Sequence, residues 1–226
     1  MTSPHHLHAT AAAWSLQAAR RRLAELALQE ARRNAHGLLD AAPVLRSSSA
    51  YGIRHGVGGH GDPTSSLLLL ASRPTRDTTW ADLDQRLSGK LDWLAGQLDH
   101  RSPDAAFGMD PIARILAMMP KVQPGTARIV ARHLADEDAW AREAIRQPRP
   151  AQPLTGVPCP HCGERQLVVQ TAGPVDAWTV VCATGRLCVG QGCPCGMPGA
   201  VEGAAHIWPR DAVIGAVAGD APSSAE

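Results

Sequence analysis

Cys159-Pro160-His161-Cys162-Gly163 is the stretch from which this chain is best read. Two cysteines separated by two residues, on a turn closed by glycine, bring two thiolates to one side. A further pair from elsewhere in the chain can then complete a tetrahedron around one metal ion. All six cysteines lie between positions 159 and 195. After Cys162 comes the β-favouring run Gln166–Gln170, a turn at Gly173-Pro174, and a second β-favouring run, Trp178–Val181, which delivers Cys182. Knuckle, strand, turn, strand, ligand is the layout of a zinc ribbon.

The expected ligands are Cys159, Cys162, Cys182 and Cys188, around one structural Zn2+ per chain. Cys193 and Cys195 are reserve ligands, because a single intervening residue makes it tight for both sulfurs to reach one ion. His206, ahead of Ile207-Trp208, is expected on a third strand and is a further reserve, with a packed role favoured over a ligating one. Two zinc ions sharing six thiolates is a less favoured arrangement. Sulfur softness also admits an iron–sulfur cluster, ranked below zinc. Trp178 and Trp208 are the natural core of so small a sheet. Few other apolar residues are present, so the module needs its metal to fold. Structural zinc contributes roughly 10–16 kcal/mol in finger peptides.

Composition narrows the function. The 226 residues are 44% hydrophobic, enough for one or two domains with a real core. The net charge of +1 is unevenly spread. From residue 151 onward three arginines face six carboxylates, a balance of −3, and the first 150 residues carry +4. Neither part has the basic excess expected of a surface that grips nucleic acid by charge. Met1–Thr10 has no apolar segment of signal-peptide type, and the longest aliphatic run, Leu67–Leu70, cannot span a bilayer. A cytoplasmic location without membrane contact is expected, where clustered cysteines favour metal over disulfides.

The rest of the chain reads as a helical bundle, giving a mainly α protein with a small β module at its C-terminal end. Residues 1–9 read as a disordered tail and 10–146 as the helical domain. A first helix is expected from Thr10 to His36, stopped by Gly37. A flexible Gly/Ser/His loop over 40–62 follows, and then a helix from Pro63 to about Ala71. Trp80, Leu83, Leu87, Leu91, Leu94 and Leu98 form the clearest apolar stripe, over 78–99, capped by Thr79 with Asp82. Starts are read at Ser102-Pro103 and Asp110-Pro111, and a last long helix over Pro124–Arg146. Its Val130, Leu134, Ala141 and Ile145 are expected inward, and Asp136, Glu137, Asp138 and Arg142 outward. Residues 147–158, with four prolines, read as a linker, 159–210 as the zinc ribbon, and 211–226 as a flexible tail.

The order of parts resembles a group of uncharacterised actinobacterial and actinophage proteins with a helical N-terminal domain and a C-terminal CPxCG zinc ribbon. The matching residues are Gly61-Asp62-Pro63-Thr64, Trp93-Leu94, Cys159–Gly163, Trp178–Cys182, Gly192–Gly196 and His206–Pro209. The resemblance implies a phage or prophage origin and supplies no activity.

Function is expected to be non-enzymatic. The chain shows no Gly-rich phosphate loop, no Ser/His/Asp order in strand context, and no carboxylate pair placed for acid–base work. The favoured reading is an adaptor, the ribbon presenting a rigid surface to a protein partner and the helical domain serving as scaffold or dimerisation unit. A DNA-binding transcriptional regulator is the alternative. A thiol-dependent redox protein using Cys193 or Cys195 is a third reading.

Overall fold

In the computed structural model, residues 3–40, 79–99, 109–197 and 199–219 are described. The elements run α1 (Pro4–Asp40), α2 (Trp80–Leu98), α3 (Pro111–Met118), a 3-10 turn (Met119–Lys121), α4 (Pro124–Ile145), β1 (Ala151–Leu154), β2 (Leu167–Gln170), β3 (Thr179–Cys182), β4 (Ile207–Pro209) and α5 (Arg210–Gly219). The protein is mainly helical, with a four-stranded antiparallel sheet in order β1-β2-β3-β4. Two compact units are formed, one of residues 1–22 with 86–226, the other of residues 23–85. No helix among the described residues is long and apolar enough to cross a membrane. Most of the loop expected over 40–62, the helix expected over 63–71, the start at Ser102-Pro103 and residues 220–226 lie outside the described residues.

Local chemistry explains the element starts. Within the smaller unit, Thr79 and Asp82 form a reciprocal capping box. Asp82 Oδ2 accepts from the Thr79 amide and hydroxyl at 3.1 and 2.8 Å, and Thr79 Oγ1 accepts from the Asp82 amide at 3.1 Å. The Trp80 amide donates to Glu30 at 2.9 Å. In the larger unit, Asp110 caps α3 by accepting from the Ala113 amide at 3.2 Å, with Pro111 in the first helical position.

The N-terminal end differs from expectation. Helix α1 begins at Pro4 rather than Thr10, so residues 4–9 are helical and not a solvated tail. Ser3-Pro4 is the same cap-then-proline signal as Asp110-Pro111. His6 Nδ1 accepts from the Ser3 amide at 3.2 Å and lies 2.7 Å from its hydroxyl, and Nε2 donates to the Val122 carbonyl at 3.0 Å. The helix also runs through Gly37, because one interior glycine costs only about 1 kcal/mol.

Two further boundaries are corrected. Ala151–Leu154, inside the expected linker, forms β1 and pairs antiparallel with β2, Leu154 opposite Leu167. An edge strand tolerates its proline. Helix α5, Arg210–Gly219, takes up the first part of the expected flexible tail over 211–226, and its Val213 is buried in the core of the sheet module. That core holds Leu167, Val169, Val180, Ile207 and Trp208, and it also takes in Ala11 of α1, with Leu7 packed against it. The helical and β parts therefore share apolar contacts where two separate domains were expected. Gly173, at φ +85°, fixes one of these approaches: a Cβ there would lie 2.6 Å from the Trp14 ring.

Asp138 and Arg142, expected outward on α4, are buried, Asp138 completely. They share a face with Leu134, Ala141 and Ile145 at spacings of three and four residues. The apolar stripe is interrupted by a paired charge rather than ending there. Arg142 Nε donates to Asp138 Oδ1 at 2.8 Å and Arg149 Nε to Oδ2 at 2.7 Å. The Ser15 hydroxyl donates to the same carboxylate at 2.9 and 3.0 Å. Arg142 also donates to the carbonyls of Ser15 and Pro148, both at 2.7 Å. The network thus joins α1, α4 and the segment leading into β1.

Removing one member of a buried charge pair strands the other, at about 3–5 kcal/mol. Asp138→Ala is expected to destabilise the metal-loaded protein by that amount in urea unfolding. A loss below about 1 kcal/mol, the range of an exposed pair, would show the network is not buried in solution. Gly173→Ala is expected to cost about 1–3 kcal/mol through steric overlap with Trp14 and positive φ.

Candidate metal centre

Each cysteine is delivered by an identifiable local structure. The first knuckle closes by the Gly163 amide donating to the Cys159 carbonyl and the Cys159 amide to the Glu164 carbonyl, both at 2.9 Å. Gly163, at φ +72°, makes that reversal. Cys182 ends β3, opposite Leu167 in the sheet register. Cys188 is set by the Leu187–Ala205 bridge and by two backbone bonds of 2.8 Å, its amide to Ala204 and its carbonyl from Gly203. Cys195 is anchored by its carbonyl, which accepts from Trp208 Nε1 at 2.9 Å. None of the six cysteines is in a disulfide.

The cysteines gather into two groups. Cys159, Cys162 and Cys182 form one; Cys188, Cys193, Cys195 and His206 form the other. Within each group the ligand atoms lie within 4.8 Å of one another. The expected set of Cys159, Cys162, Cys182 and Cys188 is therefore corrected at its fourth member, which belongs to the second group. The bridge between Leu187 and Ala205 brings Cys188 beside the residue that precedes His206. The expected single site per chain becomes two groups, each able to hold an ion. Cys193 and Cys195, held in reserve, are central members of the second. One intervening residue does not prevent both sulfurs from lying within 4.8 Å of the other members of the group. His206, expected to be packed rather than ligating, is buried at 1% exposure and also stands in the second group, with Nε2 3.6 Å from Cys193 Sγ and Nδ1 donating to the Arg186 carbonyl at 2.9 Å. A carbonyl acceptor on one ring nitrogen leaves the other unprotonated for a metal.

The spacings fit one tetrahedral ion per group. Arms of about 2.3 Å give a tetrahedron edge of about 3.8 Å. Cys162 and Cys182 sulfurs are 3.8 Å apart, and Cys188 and Cys195 sulfurs 4.0 Å. The second group is complete, with three sulfurs and one nitrogen. The first has three sulfurs, and among the described residues no Cys, His, Asp or Glu supplies a fourth. The Thr184 hydroxyl stands nearest, 3.0 Å from Cys182 Sγ and 4.0 Å from Cys162 Sγ. Thr184 precedes Gly185, at φ +71°, as Cys162 precedes Gly163.

His161 was no candidate in the sequence, yet its Nδ1 lies 3.3 Å from Cys193 Sγ and its ring stacks on His206 with centroids 4.0 Å apart. His206 in turn lies parallel to Trp208 at 5.8 Å. The first knuckle and the second group therefore meet through a stack of rings. The only sequence signal for His161 was its place between the knuckle cysteines.

Electrostatics differ among the thiols. Burial pushes Cys159 and Cys195 up to about 11. Burial also opposes ionisation of Cys193, but its contacts with the His206 ring and with the backbone at Val189 and Cys195 outweigh it and bring the thiol down to about 5. The backbone at Glu164 draws Cys162 below the ordinary thiol range.

The chain matches no protein-family model, and neither a curated protein nor a solved structure matches it.

Two outcomes follow. Cys188→Ser and Cys195→Ser should each lower metal content by one ion per chain and leave the group containing Cys159 loaded, whereas Cys182→Ser should empty that group alone. Loss of the Cys159 group on Cys188→Ser, read by native mass spectrometry, would restore the first ligand set. Since Cys159 and Cys195 titrate near 11, both carry protons at pH 7 without metal. Ion uptake must release those protons, so affinity rises with pH. Calorimetry in buffers of different ionisation heat should show this release, and buffer-independent heats would refute it.

Proposed function

We propose that residues 151–213 form a zinc ribbon with two structural zinc sites, and that the protein is a non-enzymatic interaction protein of phage or prophage type acting in the cytoplasm. The observation that carries the reading is the buried convergence of Cys188, Cys193, Cys195 and His206. Three sulfurs and an imidazole at tetrahedral spacing suit Zn2+. A four-iron cluster is wider than one ion and would hold its thiolates further apart than the 4.0 Å between Cys188 and Cys195. Four protein ligands leave no coordination position for a substrate, so this site supports shape rather than turnover. The motif resemblance to actinobacterial and actinophage proteins supports the phage assignment, and the absence of a membrane-length helix among the described residues is consistent with the location.

The role follows from rigidity. A metal-tied module, sharing its apolar core with Leu7 and Ala11 of α1, presents a fixed surface on which a protein partner can dock without ordering cost.

Elemental analysis of purified protein is expected to give two zinc ions per chain. Chelation should abolish ordered signals from the sheet and also reduce helical circular dichroism, because α1 loses part of its burial. Pull-down with zinc-loaded protein should retain a partner that the Cys195→Ser variant does not. Metal-free protein that stays ordered, or capture unaffected by Cys195→Ser, would overturn the reading.

A further inference from the structure

A cavity of about 570 Å³ opens among the first turns of α1, one face of α4, the end of β2 and the loop before β4. It is apart from both cysteine groups and uses none of their ligands. Its existence has a simple cause. Part of the lining from α1 and α4 is alanine: Ala11 and Ala12 on α1, Ala131 and Ala135 on α4, with Ala172 beyond β2. Larger side chains at these places would fill the space.

The walls of the cavity are cationic. Arg128, Arg132 and Arg149 line it, against one carboxylate, Glu202. Arg149 is paired with Asp138, but that carboxylate is already shared with Arg142. Two guanidinium groups thus share one buried carboxylate. Arg128 and Arg132, one turn apart on α4, have no acidic partner among the described residues. His5 and His8 complete the lining. His8 Nε2 donates to the Ala205 carbonyl at 3.1 Å. Burial lowers the pKa of His5, and the positive charges of His8 and Arg128 add to that lowering. A chain whose whole net charge is +1 therefore concentrates positive charge in one concave place.

We infer that this cavity binds a small organic phosphate, with Arg128 and Arg132 holding the phosphate group and the alanine floor receiving the organic part. Guanidinium pairs match phosphate oxygens with forked hydrogen bonds. The volume lies within the range of small-ligand sites, and an apolar floor with a few convergent polar groups is their usual composition. The concave form distinguishes it from a groove that tracks a polymer, where cations are strung along a surface. The inference is independent of metal identity and of the adaptor reading.

Calorimetric titration of the full, metal-loaded chain with inorganic phosphate, AMP and a short DNA duplex tests it. Saturable one-to-one binding of AMP is expected, tighter than that of inorganic phosphate. The double variant Arg128→Gln, Arg132→Gln should weaken it at least about tenfold, the loss of one to two charge-assisted contacts. Both residues are exposed on α4 and outside the core, so the unliganded unfolding temperature should not change. Ala131→Leu, which fills the floor without altering charge, should also remove AMP binding. The inference is overturned if no probe saturates at millimolar concentration, or if AMP binds no better than phosphate. It is equally overturned if the arginine variant binds AMP like the parent, or if only DNA binds and does so with steep salt dependence.

Discussion

The segment between β3 and β4, residues 183–206, has almost no backbone ladder to hold it. Among its described residues the regular pairing is the bridge between Leu187 and Ala205 with the two backbone bonds of Cys188 beside it, yet Cys188, Cys195 and His206 within it are buried. A connection of this length inside a compact unit does not keep one conformation through scattered turns, because each ordered residue costs about 1–2 kcal/mol of backbone entropy. What the segment does have is four ligand atoms within 4.8 Å of each other. Cys188 and Cys195 also belong to the buried core of the module, and a cation held by the four groups would add an interaction that offsets the ordering. The positions of Trp208, of β4 and of Val213 beyond it follow from that convergence.

The module is small but not isolated. Its core takes in Ala11, and Gly173 leaves room for the Trp14 ring to lie against the turn between β2 and β3. Asp138 then ties three parts of the chain together through Ser15, Arg142 and Arg149. Apolar contact sets how closely α1 and the sheet approach. The charge network adds direction, because a buried carboxylate tolerates few arrangements of its partners. The cost of burying that charge is met only when all partners are present, so the network favours one packing over near alternatives.

Much of this was legible in sequence where the signal was local. The capping box at Thr79 and Asp82, the Asp110-Pro111 start and the two strands around Gly173-Pro174 depend on neighbours a few residues apart. The three thiols Cys159, Cys162 and Cys182 were likewise readable, from a knuckle and a strand end. What the sequence hid was long-range. Whether Cys188 joins the first group or the second depends on a bridge to Ala205, which no spacing rule encodes. Asp138 and Arg142 look outward because they are charged, and only Ser15 and Arg149, far away in sequence, make their burial tolerable. The helical start at Ser3-Pro4 was readable in principle, but three histidines nearby suggested a solvated end. Of these, His6 is buried against the Val122 carbonyl and His8, half-buried, reaches the Ala205 carbonyl.

The two cysteine groups are unequal, and the ring stack gives that inequality a consequence. The group with His206 has four protein ligands, while the group with Cys159 has three and a threonine hydroxyl beside them. Chelate reasoning makes the four-ligand group the tighter, so it is the first to fill. Filling it fixes the His206 ring, on which His161 stacks at 4.0 Å. His161 sits between Cys159 and Cys162, so ordering its ring orders the knuckle around it. A ring pair of this kind contributes about 0.5–1.5 kcal/mol. That is too little to merge the two groups into one cooperative unit, but it is enough to raise the affinity of the second several-fold once the first is filled. Were both groups to take an ion, this coupling would order their loading, from the closed group to the open one.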